Sequence, residues 1–352
     1  MDLGEFMNFD WIQIKQPLLE WYEKEHRALP WRMTKSPYCI WISEIMLQQT
    51  RVEAVKGYYA RFLDEIPDIE TLASISEEVL LKLWEGLGYY NRARNLQKAA
   101  KLIVEEHDGR FPQNYQEVIK LPGIGEYTAG AICSICFEQP TPAVDGNVLR
   151  VMTRLSECYD NIDDVRTKKY ARNQLLTVYH TGDCGNLTQA LMELGATICI
   201  PNGAPKCSLC PLYNMCNAAK NSTYNQLPVR KEKKKRRIED KTVFILHVGE
   251  EYGIRKRKSE GLLANMWEFY HVDYVMDKTQ ALQYVSDQGY EPIVLEKEIP
   301  YTHIFSHVEW RMKAYYISCS NKQTHLTWVN KNEFDNKYAL PIAFKTFLEK
   351  EF

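Results

Sequence analysis

The stretch Leu121 to Asn147, LPGIGEYTAGAICSICFEQPTPAVDGN, constrains this chain more than any other. Just upstream, Asn114 and Glu117 mark a helix start, and Val118, Ile119 and Leu121 carry its apolar side. Pro122 ends that helix, and Gly123 and Gly125 are expected to supply backbone angles that residues with a side chain avoid. A second helix then starts near Glu126 and runs through Tyr127, Ala131 and Ile135. The pattern predicts a helix-hairpin-helix over 114–135. Its turn amides and the second helix N-terminus converge on one spot, which suits a phosphate. Further on, a carboxylate, Asp145, sits in a VDGN turn. Taken alone, LPGIG reads equally well as a plain loop between helices, so the remainder of the chain has to decide.

The length, 352 residues, suggests two domains. Lysine and arginine number 44 against 46 acids, a formal charge of -2, so a nucleic-acid surface would have to be local. No apolar run is long enough to span a membrane, and MDLGEFMNFD has no signal-peptide core. The expectation is a cytoplasmic, in a bacterium nucleoid-associated, monomer, with Met1 and Met7 both available as starts.

Trp11, Ile14, Leu18 and Trp21 have helical spacing and predict a docking helix. In residues 26–50, Pro30 and Pro37 frame a loop with Trp31, Arg32 and Tyr38. The helix after it carries Ile40, Trp41, Ile42, Ile45, Met46 and Leu47 with one acid among them, Glu44. A carboxyl in such company has a raised pKa and stays protonated near neutrality, as a general acid must. The plainer reading is a half-exposed helix acid. Gln48, Gln49 and Thr50 end that helix with groups able to bond base edges. A capped helix from Ser76 to Trp84 leads into a Gly86/Gly88 turn presenting Tyr89, Tyr90, Arg92 and Arg94, a combination that suits nucleic acid. Strand signals are scarce to about residue 195, so the first domain is expected to be all-α.

Of the ten cysteines, Cys199, Cys207, Cys210 and Cys216 form a C-x7-C-x2-C-x5-C array. Zinc would normally show two close pairs, and only Cys207 and Cys210 form one, which favours an iron–sulfur cluster. The other cysteines are scattered and read as core thiols. Residues 221–241 read as a linker, with seven basic residues between Arg230 and Arg237. Beyond it KTVFILHV, GIRKRK, MWEFYHVDY and MKAYYISC are β-rich, with helices over 279–288 and near 341–350, which gives an α+β second domain over 242–352.

Together, LPWRMTKSPYCIWISEIMLQQT, GLGYYNRARNL, LPGIGEYTAGAI, AVDGNVLRV and MELGATIC with the cysteine array resemble the endonuclease III superfamily of helix-hairpin-helix glycosylases. Within it they resemble the adenine DNA glycosylase (MutY) family, and RKRKSEGLLANMWEF and HIFSHVEW resemble that family's MutT-like, Nudix-fold C-terminal domain. The resemblance implies a six-helix barrel over about 29–137, a cluster module built from 1–28 and 138–220, and one 4Fe-4S cluster. It implies removal of adenine mispaired with 8-oxoguanine in double-stranded DNA. Glu44 aligns with the family's catalytic acid and Asp145 with its VDGN aspartate, with Tyr127 and Asn147 orienting Asp145 and the sugar. Tyr127 stands where bifunctional relatives carry lysine, so no Schiff base and no strong strand cleavage are expected.

The same resemblance assigns Arg27, Leu29, Trp31, Arg32 and Gln189 to the adenine pocket. It assigns Gln49, Thr50, Tyr89 and the hairpin residues Leu121, Gly123 and Gly125 to DNA contacts, and Phe305, Ser306 and His307 to reading 8-oxoguanine. Two departures stand out. The interval between the first two cysteines is seven residues, IPNGAPK, where the family usually has six. The second domain lacks the acidic Nudix signature that binds magnesium, so pyrophosphatase activity is not expected. The competing readings are a thymine-mismatch glycosylase of the same superfamily and a non-catalytic DNA-binding iron–sulfur protein. No peptide motif for a replication or repair partner is evident.

Overall fold

A computed structural model describes residues 9–232 and 235–349. The two methionines considered as starts, Met1 and Met7, and part of the basic linker, Lys233 and Lys234, lie outside the described residues. In chain order the helices are α1 (Lys15–Glu25), α2 (Pro37–Leu47), α3 (Val52–Glu65), α4 (Ile69–Ser74), α5 (Glu77–Leu83), α6 (Asn91–His107), α7 (Tyr115–Val118), α8 (Glu126–Phe137), α9 (Gly146–Ser156), α10 (Val165–Tyr179), α11 (Cys184–Thr197) and α12 (Asn217–Lys220). Then come β1 (Arg237–Val248), β2 (Glu251–Lys256), β3 (Trp267–Val272), α13 (Lys278–Asp287), β4 (Pro292–Ile304), β5 (Val308–Cys319), β6 (Thr327–Val329), α14 (Lys331–Asn336) and α15 (Ile342–Glu349). No helix among the described residues is long and apolar enough to cross a membrane.

The chain divides into two compact units. One takes the chain through Ser74 with Arg94–Glu232, and the other takes Ile75–Ala93 with everything after Glu232. The first unit is helical throughout among the described residues. Helix α2 starts at Ser36, whose side chain accepts from the Cys39 amide, with Pro37 in the first helical position. Every residue from Ile40 to Met46 is buried, which marks α2 as a central helix rather than an amphipathic one. Helix α8, buried from Thr128 to Ile135, packs against it. The N-terminal helix docks elsewhere. Trp11, Ile14, Leu18 and Tyr22 join Val151 and Leu155 of α9, Leu175 of α10 and Leu191 of α11 in one core.

The hairpin differs in detail from its sequence expectation. Its first helix, α7, is one turn long, capped by Asn114 accepting from the Gln116 amide at 2.8 Å, and it stops at Val118. Gly123 has φ of +79°, and a Cβ there would lie 2.6 Å from Asn95 Cβ, so glycine is required twice over. Gly125 is different: it is the extended N-cap of α8 with φ of -98°, a conformation open to any residue. What its missing side chain does is leave the approach to the α8 amides open, with nothing within 4 Å of the Cβ position.

The second unit is a six-stranded mixed sheet in the order β4-β5-β1-β3-β2-β6. Strands β1 and β5 run parallel, Val243 opposite Ala314, and the other pairings are antiparallel. Lys241 to Leu246 of β1 are buried without alternation, because both faces of the sheet are covered. Val243, Ile254, Trp310 and Tyr316 face α14 and α15 through Phe334, Phe344 and Phe347. Phe244, Leu246, Tyr315 and Ile317 face α13 through Ala281 and Val285. Strand β1 begins at Arg237, inside the stretch read as linker, and pairs from its first residue with Val308. Strands β4 and β6 and helix α14 escaped the sequence reading. β4 is an edge strand carrying Glu296, Lys297, Glu298 and two prolines, a composition that blunts edges but hides the strand signal.

Residues 75–93 pack into this second unit. Glu85 accepts from the Leu340 amide at 2.8 Å and pairs with Lys82 at 2.8 Å and Lys345 at 3.1 Å. Deeper in, the buried Glu268 carboxylate pairs with Arg255 at 2.8 Å and with Arg257. Replacing Glu268 by Ala leaves two guanidinium groups without their carboxylate, with only the His271 and Leu262 carbonyls as acceptors among the described residues. A loss of about 3 kcal/mol is expected, read as a lower denaturant midpoint for the second unit.

Candidate active site and cysteine loop

One cleft of the first unit, with about 200 Å³ of internal room, gathers residues from five separate parts of the chain. Arg27, Leu29, Trp31 and Arg32 come from the loop before α2, Glu44 and Thr50 from α2 and its end, and Tyr127 from α8. Asp145 and Asn147 come from the VDGN turn, and Gln189, Met192 and Glu193 from α11.

Glu44 is 5% exposed, and its Oε2 has no hydrogen-bond partner. Burial pushes its carboxyl up to about 7, with the Asp145 charge adding to the shift and the Tyr127 hydroxyl and Arg32 opposing it. Tyr127 donates to Met192 Sδ at 3.7 Å, and burial together with the neighbouring Glu44 and Asp145 charges raises its phenol well above the usual range.

Asp145 is held quite differently. It is the N-cap of α9, and its Oδ1 accepts from the amides of Asn147 at 2.9 Å and Val148 at 2.8 Å. Its Oδ2 accepts from Asn147 Nδ2 at 2.8 Å. Burial raises this carboxyl too, but the three N–H donors and the Arg150 charge work against that rise. Arg150 ties the turn to the rest of the unit, donating to Asn147 Oδ1 at 3.0 Å, the Gly195 carbonyl at 2.7 Å and the Cys199 carbonyl at 2.8 Å.

A third acid, Glu193, went unnoticed in the sequence, where it is one polar residue in MELGATIC. Its side chain is wholly buried and accepts two bonds from the Arg27 guanidinium, both at 2.8 Å, one from the Arg27 amide at 3.0 Å and one from Arg32 at 2.6 Å. Those bonds overcome burial and hold its carboxyl down at about 2. Arg27 and Arg32 are thus committed to Glu193, and they shape the pocket wall instead of reaching freely into it. Gln189 accepts from the Tyr22 hydroxyl at 3.1 Å, which leaves its amide nitrogen for other partners. Trp31 lies edge-on to Tyr59 at 5.5 Å.

The residues assigned to DNA contacts divide between the units. Gln49 is exposed with φ of +57° at the end of α2, whereas Gln48 turns inward to Thr128 at 3.3 Å. In the hairpin Leu121 is buried, 3% exposed, and accepts from the Ile124 amide, so its part is to hold the turn. In the second unit Tyr89 is 45% exposed with φ of +49°, and its hydroxyl lies 2.8 Å from Ser306 Oγ. Tyr90 and Arg92 are not surface residues as expected. Both are buried, and Arg92 donates to the Leu87 and Gly88 carbonyls at 3.0 and 3.1 Å, bracing the glycine turn. Phe305, Ser306 and His307 form the β4–β5 turn, in which Phe305 packs on Trp310 at 4.8 Å while Ser306 and His307 are exposed.

Cys199, Cys207, Cys210 and Cys216 line one cavity with Val151, Leu155, Leu194 and Ile198. Burial raises the thiols of Cys207, Cys210 and Cys216, the last two to about 12 and about 11. Arg154 donates to Cys199 Sγ at 3.3 Å and to the Ile200 carbonyl at 3.0 Å. Among the described residues, no group of three or more His, Cys, Asp or Glu side chains closes tightly enough to hold a single ion. Four thiols around one apolar cavity are a soft donor set whose chemistry suits a metal or an iron–sulfur cluster.

Residues 42–177 match the HhH-GPD superfamily of base excision DNA repair proteins, and residues 242–350 match the NUDIX domain. The chain is 34% identical to the adenine DNA glycosylase of Buchnera aphidicola subsp. Schizaphis graminum, over 95% of this chain and 97% of that protein. It is 31% identical to the Homo sapiens adenine DNA glycosylase, over 94% of this chain and 72% of that one. Among solved structures it is similar to a thermostable thymine-DNA glycosylase, with a TM-score of 0.53 and 28% identity over 58% of this chain and 94% of that one. It is also similar to endonuclease III in a non-covalent DNA complex, with a TM-score of 0.51 and 26% identity over 60% of this chain and 96% of that one.

The Glu44 environment has a consequence for stability. The carboxyl ionises near 4.5 when unfolded and near about 7 when folded. Between those values the folded state holds the extra proton, so stability falls as pH rises through that window and stays lower above it. Glu44→Gln removes the penalty. Its unfolding temperature is expected to exceed the parent's by a few degrees at about pH 8 and to match it near about pH 4, as read by calorimetry.

Proposed function

The chain belongs to the adenine DNA glycosylase family, and from that premise we propose that it removes adenine mispaired with 8-oxoguanine in duplex DNA. It is a DNA N-glycosylase. The observation that carries the proposal is the single cleft holding two carboxyls in unlike environments, one desolvated and one capping a helix.

The reaction follows from those environments. The adenosine leaves the duplex at a cost of a few kcal/mol offset by binding. Glu44, protonated near neutrality, donates its proton to adenine N7 and makes the base a better leaving group. The glycosidic bond breaks toward an oxocarbenium-like sugar, and the electron pair goes to the base. Asp145 stabilises the cation, or bonds to it briefly, as the second carboxylate of a retaining glycosidase does. Its fixed hydrogen bonds to Asn147 and Val148 mean that little reorganisation accompanies this step. The ionised Glu44 then takes a proton from the attacking water, leaving an abasic site and free adenine. Tyr127 cannot replace that water as an amine would, which supports hydrolysis without strand cleavage.

Adenine is a normal base, so selectivity must come from the base opposite. The exposed Ser306 and His307 of the second unit, with Tyr89 beside Ser306, are the groups we assign to reading 8-oxoguanine. We assign Cys199, Cys207, Cys210 and Cys216 to one 4Fe-4S cluster, supported by their common cavity and by Arg154 and Arg150 bracing the loop. Such a cluster would cross-link the loop and fix its shape. The seven-residue interval, IPNGAPK, changes the loop and still leaves Cys199 and Cys207 on one cavity.

Single-turnover excision from duplexes with adenine opposite 8-oxoguanine, adenine opposite guanine and thymine opposite guanine tests the substrate. The first should be fastest and the last inert; preference for thymine would transfer the chain to a thymine-mismatch activity. Glu44→Gln and Asp145→Asn should each lower the rate by at least about a hundredfold, while Ser306→Ala should narrow the gap between 8-oxoguanine and guanine. Purified protein should be yellow-brown with about four irons per chain, and a colourless, iron-free but active preparation would remove the cluster assignment.

A further inference from the structure

Residues 229–231 lie at the end of the first unit, where the basic run begins, and they are anchored to that unit. Ile162 donates its amide to the Val229 carbonyl at 3.1 Å. The Lys231 amide donates to Asp163 Oδ2 at 3.1 Å, and its ammonium pairs with Asp164 at 2.5 Å. Arg230 stands between these two anchors and does not share their partners. Its guanidinium lies over the VDGN turn, where a Cβ built on Gly146 would meet Arg230 Nη2 at 3.0 Å. Gly146 follows Asp145 directly. Arg230 is exposed, and no acid among the described residues neutralises it.

The contrast with Lys231 is informative. Two adjacent cations leave the same anchored strand: one is matched by Asp164, and the other is held unmatched beside the catalytic aspartate. Asp145 does not serve as its counter-ion: no ion pair joins the two among the described residues, and the cation that bears on Asp145 is Arg150. A guanidinium held in place by its neighbours, with its forked donors open to solvent, is arranged for an oxyanion that arrives with the substrate. On a duplex whose adenosine has swung into the cleft, the anion that must pass over this turn is the phosphodiester flanking that nucleoside.

We infer that Arg230 grips the phosphodiester next to the everted adenosine and is a positioning residue, setting the sugar against Asp145. The inference rests on the reaction on duplex DNA proposed above. A phosphate gripped there fixes the backbone on one side of the reacting sugar, while the cleft fixes the base on the other.

The test uses the full chain and a duplex with a non-hydrolysable fluoro-adenosine opposite 8-oxoguanine, so that binding is read apart from chemistry. Single methylphosphonates replace each phosphodiester flanking the adenosine. The parent should lose about tenfold in affinity at one of those linkages. Arg230→Ala should lose about as much on the unmodified duplex, be indifferent to that methylphosphonate, and show a salt dependence shallower by about one unit. Arg230→Lys, which keeps the charge, should retain the parent slope. An Arg230→Ala protein that senses every methylphosphonate as the parent does, or keeps the parent slope, overturns the inference. Excision of adenine from the hydrolysable duplex by the parent, measured alongside, decides the proposed reaction separately.

Discussion

A carboxylic acid has been buried among apolar side chains in the wall of a cleft, and the rest of the first unit is built around that placement. Glu44 sits on a helix buried at every position from Ile40 to Met46 and apolar there except for Ser43 and Glu44 itself, so the helix must be surrounded on all sides. Helix α8 supplies one wall and brings Tyr127 against the acid, and the loop before α2 supplies another through Leu29 and Trp31. The desolvation that keeps the proton on Glu44 is therefore inseparable from the packing that stabilises the unit. The cost falls on the folded state and is borne by one of its best-packed helices.

Three acids share the cleft, and chemistry distinguishes them only through their surroundings. Glu44 lacks a partner at one oxygen and, raised to about 7 by burial, holds its proton far above the usual carboxylate range. Asp145 is clasped by helix amides that favour its anion. Glu193 is saturated by two guanidinium groups and stays ionised to low pH. The proposed proton donor, the proposed cation stabiliser and the structural anchor are thus set apart by desolvation, capping and ion pairing in turn. Because Asp145 also caps α9, the side chain we assign to the sugar is positioned by the same bonds that start a helix.

What could be read from the sequence followed from local rules. The LPGIG turn, the apolar run around Glu44, the glycine-bounded VDGN turn and the cysteine spacing each signal within a dozen residues. The structure sets residues of the second and third, with Tyr127 just after the LPGIG turn, around one cleft and the cysteines around one cavity. Glu193 gave no such signal, because its partners lie 166 and 161 residues earlier in the chain. The aromatic and basic run after Gly88 misled for a related reason: composition does not reveal that Arg92 turns back onto the Leu87 and Gly88 carbonyls. Charge and proline hid β4 because an edge strand is exposed where an inner strand is apolar. The helical and mixed-sheet character of the two halves was nonetheless legible, since periodicity survives such local exceptions.

The chain enters its second unit twice, first with residues 75–93 and again after residue 232, and Glu85 is bonded to Leu340 and Lys345 across that gap. Cutting the chain at the basic run would therefore take the Leu340 amide and the Lys345 ammonium away from Glu85. Residues 75–93 also lie within the stretch 42–177 that matches the HhH-GPD superfamily, so a substitution there answers to that pattern and to the sheet-bearing unit at once.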